Sequence, residues 1–161
     1  MRVLIFLGLL ILVCGYALIR GGAPERTVAA AMLAAVMADL TLHTQFSTLF
    51  SQLDVSVFVI DLALLAIFAA VALNAERFWP IWLTAIQAVA TLMHVARALR
   101  LEILAEAYGA LVAFWAYPMV AMVAIGTWRH RRRLKLYGAD RSWSSSLPPW
   151  MTISHKGRPK P

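Results

Sequence analysis

Asp39, His43, Asp61, His94 and Arg97 lie within, or at the edges of, stretches otherwise apolar enough to cross a bilayer. A central Asp, Lys or Arg costs about 2.5–3.5 kcal/mol on insertion scales. Such residues need a partner, a wet cavity or a function. Two imidazoles at similar depth on different helices, His43 and His94, would suit a haem b iron ligated from both faces, with Asp39 orienting His43. The same histidines with Asp39 and Asp61 offer two nitrogens and two carboxylates to zinc or another divalent metal. Intramembrane Asp and His also build proton relays, as in a small ion-coupled carrier. The plainest chemistry is mutual pairing, Asp61 with Arg97 and Asp39 with His43, while Gln87 bonds across helices. Such contacts average about 0.6 kcal/mol and set helix register and rotation without any activity. The chain has no His-Glu-x-x-His, no Cys-x-x-Cys-His and no Gly-rich phosphate loop, so no motif argues for catalysis.

The elements that must carry these residues are membrane helices. Of 161 residues, 61% are apolar and 14% charged, whereas soluble domains carry about 25% charge. The length suits one bundle. Apolar runs cover Val3–Ile19, Val55–Leu73, Ile81–Ala96 and Ala105–Trp128. About 20 residues cross a bilayer core, so the third run should extend to Trp79 or Leu99. Thr27–His43 is Ala-rich and makes a fifth candidate. The expected fold is an all-α polytopic transmembrane bundle of five spans, or four if Thr27–His43 lies along the outer surface. The single cysteine, Cys14, excludes an internal disulfide and reads as an inert buried thiol.

The net charge is +7, and nine of the fifteen Lys and Arg follow residue 128. Basicity is therefore a property of the tail, and nucleic-acid binding is not expected. Arg129, Arg131, Arg132, Arg133 and Lys135 directly follow the last span. By the positive-inside rule this places the C-terminus in the cytoplasm, with those side chains on anionic headgroups. Counting backward puts Asn74–Pro80 inside and Thr44–Asp54, which has no Lys or Arg, outside. Phe78, Trp79, Trp82 and Trp128 then share one interfacial belt. Residues 1–19 also have signal-peptide features, but cleavage would turn the basic tail outward. His130 and His155 read as solvent-facing, and 136–161 as a Ser- and Pro-rich disordered tail. Its Trp143 and Trp150 would touch the interface.

With this orientation all five ionisable residues fall in the outer leaflet. Asp39 and His43 are one turn apart and share a helix face. Thr84, Gln87, Thr91 and His94 draw a polar stripe along the fourth span, and such a stripe normally faces the bundle interior. Asp54 and Asp61 share a face of the third span. Tyr108 and Trp115 share one on the last, with Arg100 and Glu106 at its outer mouth.

Arg77-Phe78-Trp79-Pro80-Ile81-Trp82, followed by His94, Ala107-Tyr108 and Tyr117-Pro118, resembles a group of small multi-span membrane proteins of alphaproteobacteria without an assigned function. The resemblance covers about residues 50–135 and implies a bacterial inner membrane. It carries over no functional residue. The expected role is non-enzymatic, a structural or accessory membrane subunit without a cofactor, in contact with lipid and with a second copy or a membrane-protein partner. Haem or metal binding by His43 and His94 is the alternative, and a small carrier the third reading.

Overall fold

Gly21 and Gly22 interrupt the first helical stretch and let the chain reverse. Helix α1 covers Arg2–Arg20 and α2 covers Ala23–Phe46. Pro24 stands in the first turn of α2, where its missing N–H has no helical acceptor to lose. Glu25 beside it faces the positive end of the helix dipole. The same device opens α4, Trp79–Ala98, with Pro80 in its first turn, directly after α3, Val55–Asn74. The last helix, α5, covers Ala105–Tyr137. It stops at Gly138, whose φ of 72° is a left-handed conformation that glycine adopts without steric cost. The basic segment is thus helical, carrying α5 about 13 Å beyond its apolar run.

The computed structural model describes residues 2–46, 55–98, 105–140 and 142–143. At 2–3, 42–46, 55, 97–98 and 105–113 it describes the backbone alone. Among the described residues the fold is all-helical. The helices close a ring in which α1 packs on α2, α2 on α3, α3 on α4, α4 on α5 and α5 on α1, while α2 also reaches α5. Directions follow from the contacts. The start of α2 meets the end of α3 and the last turns of α5 through Glu25, Arg77 and His130, so successive helices alternate. Phe6 of α1 meets Tyr117 of α5 edge-on at 5.3 Å, which fits α1 and α5 as parallel neighbours. The segment Thr27–His43 therefore belongs to a full helix packed between α1 and α3.

Core positions recur at three- and four-residue spacing: Leu10, Cys14 and Ala17 on α1; Val28, Ala29 and Met32 on α2; Met119, Val120 and Val123 on α5. Phe68, Val71 and Leu83 complete the core from α3 and α4. The stripe on α4 turns inward as its spacing suggests, with Gln87 and Thr91 buried while Trp82 and Leu92 are exposed. Thr27, Thr41, Thr84, Thr91 and Thr127 each donate to the carbonyl four residues back, at 2.8–3.0 Å. Their hydroxyls need no outside partner.

Among the described residues two helices, over 56–74 and 79–96, are long and apolar enough to cross a membrane, and α1 has a shorter apolar stretch, Leu4–Arg20. Only 11% and 22% of the apolar windows of α3 and α4 are buried inside the bundle. Both helices thus leave most of their side chains at least partly exposed.

Candidate functional site

Arg77 leaves α3 in the short Asn74–Pro80 connection and turns its side chain back under the bundle. The turn is held by Ala75 N–H on the Val71 carbonyl at 2.9 Å and Arg77 N–H on the Ala75 carbonyl at 2.8 Å. The guanidinium is 2% exposed. Its Nη1 donates to Oε1 of Glu25, which is fully buried, and its Nη2 donates to Asp140 Oδ2 at 2.8 Å. His130 Nδ1 lies 2.6 Å from that same Oδ2 and 3.2 Å from Arg77 Nη2. The short contact to a carboxylate requires Nδ1 to carry the proton. The guanidinium and imidazole are then two donors converging on one oxygen, not bonded to each other. Arg133 Nη1 stands 3.5 Å from the other oxygen, Asp140 Oδ1. Two carboxylates thus face two guanidiniums.

Glu25 Oε2 has no hydrogen-bond partner among the described residues. It faces the α1–α2 turn, where a Cβ on Gly22 would stand 3.0 Å from Oε2 and 2.9 Å from His130 Cε1. Glycine is needed there for space, not for its backbone angles. The cluster joins three stretches distant in sequence: the start of α2, the α3–α4 connection, and the end of α5 with the chain just past it. Trp143, two residues beyond Arg141, packs against the core. It also lines a cleft of about 420 Å³ with Thr27, Ile67, Ala70, Val71 and Asn74.

A second polar group lies between α3 and α4, about 20 Å away by helical rise. Asp61 Oδ2 is 2.8 Å from His94 Nε2. Gln87 Nε2 donates to Asp61 Oδ1 at 3.1 Å and to the Asp61 carbonyl at 3.3 Å. Phe58 sets its ring edge-on to the imidazole at 6.4 Å. Both oxygens of Asp61 are engaged, and the side chains stay partly open, 20% for Asp61 and 13% for His94.

Of the residues singled out in the sequence, Asp61, Gln87 and His94 come together, and Asp39 lies on the exposed side of α2. The backbones of His43 and Arg97 belong to α2 and α4, and their side chains lie outside the described residues, as do those of Tyr108 and Glu106; Asp54, Arg100, Trp150 and His155 lie outside altogether. The expectation of a solvent-facing His130 is overturned. It is 6% exposed, because α5 remains helical past Trp128 and brings it against Asp140. In the basic segment Arg129 and Lys135 are exposed, Arg132 stacks over Trp128 at 5.6 Å, and Arg133 turns toward Asp140. Of the tail 136–161, expected to be disordered, 136–137 belong to α5 and Trp143, expected at the interface, packs against the core, while 144–161 lie outside the described residues.

Sequence reasoning missed the Arg77 cluster because its members are 52 to 63 residues apart from Arg77 and lie in turns and helix ends. Weak signals existed: a lone acidic residue, Asp140, in a basic tail, and an arginine wedged before an aromatic helix start. Among the described residues no three His, Cys, Asp or Glu side chains are placed to share a metal ion. No family model, curated protein or solved structure matches the chain.

Proposed function

We propose that this chain is a five-span protein of a bacterial inner membrane, C-terminus in the cytoplasm, and that it serves as a structural or accessory subunit. The inverted distribution of polarity carries the reading. Charged and amide side chains (Glu25, Arg77, Gln87, His130) are buried, while large apolar residues such as Leu4, Leu12, Ile19 and Leu73 are exposed. In water that exterior would be a continuous sticky surface. In lipid it is the solvated one, and the inward polar stripe and internally bonded threonines are what a bilayer demands. The alternating helix directions support five crossings, including α2, whose Ala-rich sequence is weakly hydropathic. The Arg77 cluster then sits at the cytoplasmic end and the Asp61–His94 pair in the outer leaflet.

The accessory role rests on how the polar groups are spent: both clusters bond largely within the bundle, which rigidifies it, and the apolar exterior is left to lipid or a partner helix. A periplasm-active reporter fused after Lys135 should be silent, and the same reporter fused between Thr44 and Asp54 should be active. The opposite pattern would reverse the orientation. As an accessory subunit the chain should bring a membrane partner with it on mild-detergent purification.

The Asp61–His94 contact favours one second reading, a small ion-coupled carrier, because a carboxylate and an imidazole in contact can exchange a proton. In that case Asp61→Asn should abolish uptake in proteoliposomes at unchanged expression. For a structural pair it should cost about 0.6 kcal/mol, at most about 1.7, in denaturant unfolding and leave transport assays flat.

A further inference from the structure

Just past α5 the chain turns back toward α2 and α3. Gly138 ends the helix, Asp140 is held by Arg77, His130 and Arg133, and Trp143 packs against the core. The ionic cluster therefore directs Trp143 to the groove between α2 and α3. There the indole forms one wall of the cleft of about 420 Å³ that Thr27, Ile67, Ala70, Val71 and Asn74 also line. The walls are chiefly apolar. Of their two polar side chains, Thr27 donates to the Ala23 carbonyl at 3.0 Å and Asn74 to the Ala70 carbonyl at 2.7 Å. An apolar occupant leaves both of those bonds intact.

We propose that this cleft is the docking site of the chain's own C-terminal segment, with Leu147 and Trp150 as the side chains that enter it. Residues 144–161 follow Trp143, so the segment starts at the cleft wall. Its large apolar residues are Leu147, Trp150, Met151 and Ile153, between a serine run and a basic end. Reach is sufficient. The α3 wall from Asn74 to Ile67 rises about 10 Å, and four extended residues from Trp143 to Leu147 span about 13 Å. Pro148 and Pro149 carry no N–H, so two backbone donors that an apolar cleft would leave unpaired are absent. The prolines also hold the free chain extended, which lowers the entropy lost on docking. A short tether gives a local concentration in the millimolar range, an advantage that neither a lipid nor a second copy has. The docking rests on the cleft and the tether, whichever role the chain has in a membrane.

Cross-linking of the full chain tests this, with Cys14→Ala removing the free native thiol. Under mild oxidation the pair Ala70→Cys and Leu147→Cys should close an intramolecular disulfide about tenfold faster than Leu73→Cys with Leu147→Cys, since the rate follows local concentration. Leu73 is on the same helix and 84% exposed, but it does not line the cleft. Equal rates would mean a tethered segment that does not dock, and would overturn the proposal. Disulfides formed chiefly between chains would overturn it in favour of a second copy. Labelling with a maleimide is the independent measure. Leu147→Ser with Trp150→Ser should speed labelling of Ala70→Cys about tenfold, the protection that a cleft about nine-tenths occupied gives, and of Leu73→Cys less than about twofold. Labelling of Ala70→Cys that the tail substitutions leave unchanged would overturn the proposal, a slow rate pointing to lipid or detergent in the cleft and a fast one to an open cleft. Thr27→Cys, on the α2 wall, serves in both measurements if Ala70→Cys fails to fold.

Discussion

Arg77→Gln should destabilise the folded chain by about 3–5 kcal/mol, read from denaturant unfolding in detergent micelles. The size follows from what is left behind. The guanidinium pairs with the fully buried Glu25 carboxylate and is one of three groups facing Asp140, beside His130 and Arg133, and removing one member of a buried ion pair strands the other charge, here that of Glu25, in a low-dielectric site. Glutamine can still donate, but to one carboxylate and without charge. Lysine is no substitute either. Arg77 spans Glu25 Oε1 with Nη1 and Asp140 Oδ2 with Nη2, and a single ammonium lacks that fork. The control is compensation. Adding Glu25→Gln to Arg77→Gln should recover part of the loss, because the stranded carboxylate is then gone, and the double-mutant cycle should show coupling of more than about 0.5 kcal/mol. Additive losses would mean that the two side chains do not act as a pair.

The second large effect is expected at Gly21→Ala, about 1–3 kcal/mol as for other overpacked sites. The added Cβ would stand 2.4 Å from the Ala17 carbonyl oxygen and 2.7 Å from Glu25 Cβ. Neither neighbour is the tip of a flexible side chain. One is backbone at the end of α1, and the other roots the carboxylate that holds Arg77. Relief must therefore come from opening the α1–α2 turn, which shifts Glu25 and loosens the cluster as well. Thermal unfolding would show the loss. Gly8→Ala, where an added Cβ meets nothing within 4 Å, should be neutral or slightly stabilising because alanine is the better helix former. Equal behaviour of the two variants would deny the turn its tight packing.

The two predictions fall at one end of the bundle for a physical reason. Gly21, Gly22, Pro24 and Glu25 make a short reversal, and the Asn74–Pro80 connection makes another. The helical extension of α5 carries His130 and Arg133 beneath both. Turns expose backbone and admit polar side chains, so the helix ends become the natural place for ionic closure.

Much of the helical layout is legible along the chain because it depends on local physics. Apolar runs bounded by Gly-Gly, Asn and Pro mark α1, α3 and α4 to within a few residues, and Thr84, Gln87, Thr91 and His94 mark the inward face of α4 by spacing alone. The meeting of Asp61, Gln87 and His94 extends that reading, since neighbouring antiparallel helices bring residues at equal height together. The composition likewise states that the exterior is apolar, whatever the packing.

What no local pattern contains is which distant charges meet. Arg77, Glu25, His130 and Asp140 each look like a solvated turn or a topogenic cation when read singly. Their pairing depends on the ring closing, on α1 and α5 lying side by side, and on α5 continuing through its basic residues to Gly138. Helix periodicity spans a few residues, whereas this cluster is built across 52 to 63. The buried carboxylates were always in the sequence; the partners that make their burial tolerable exist only once the five helices have packed.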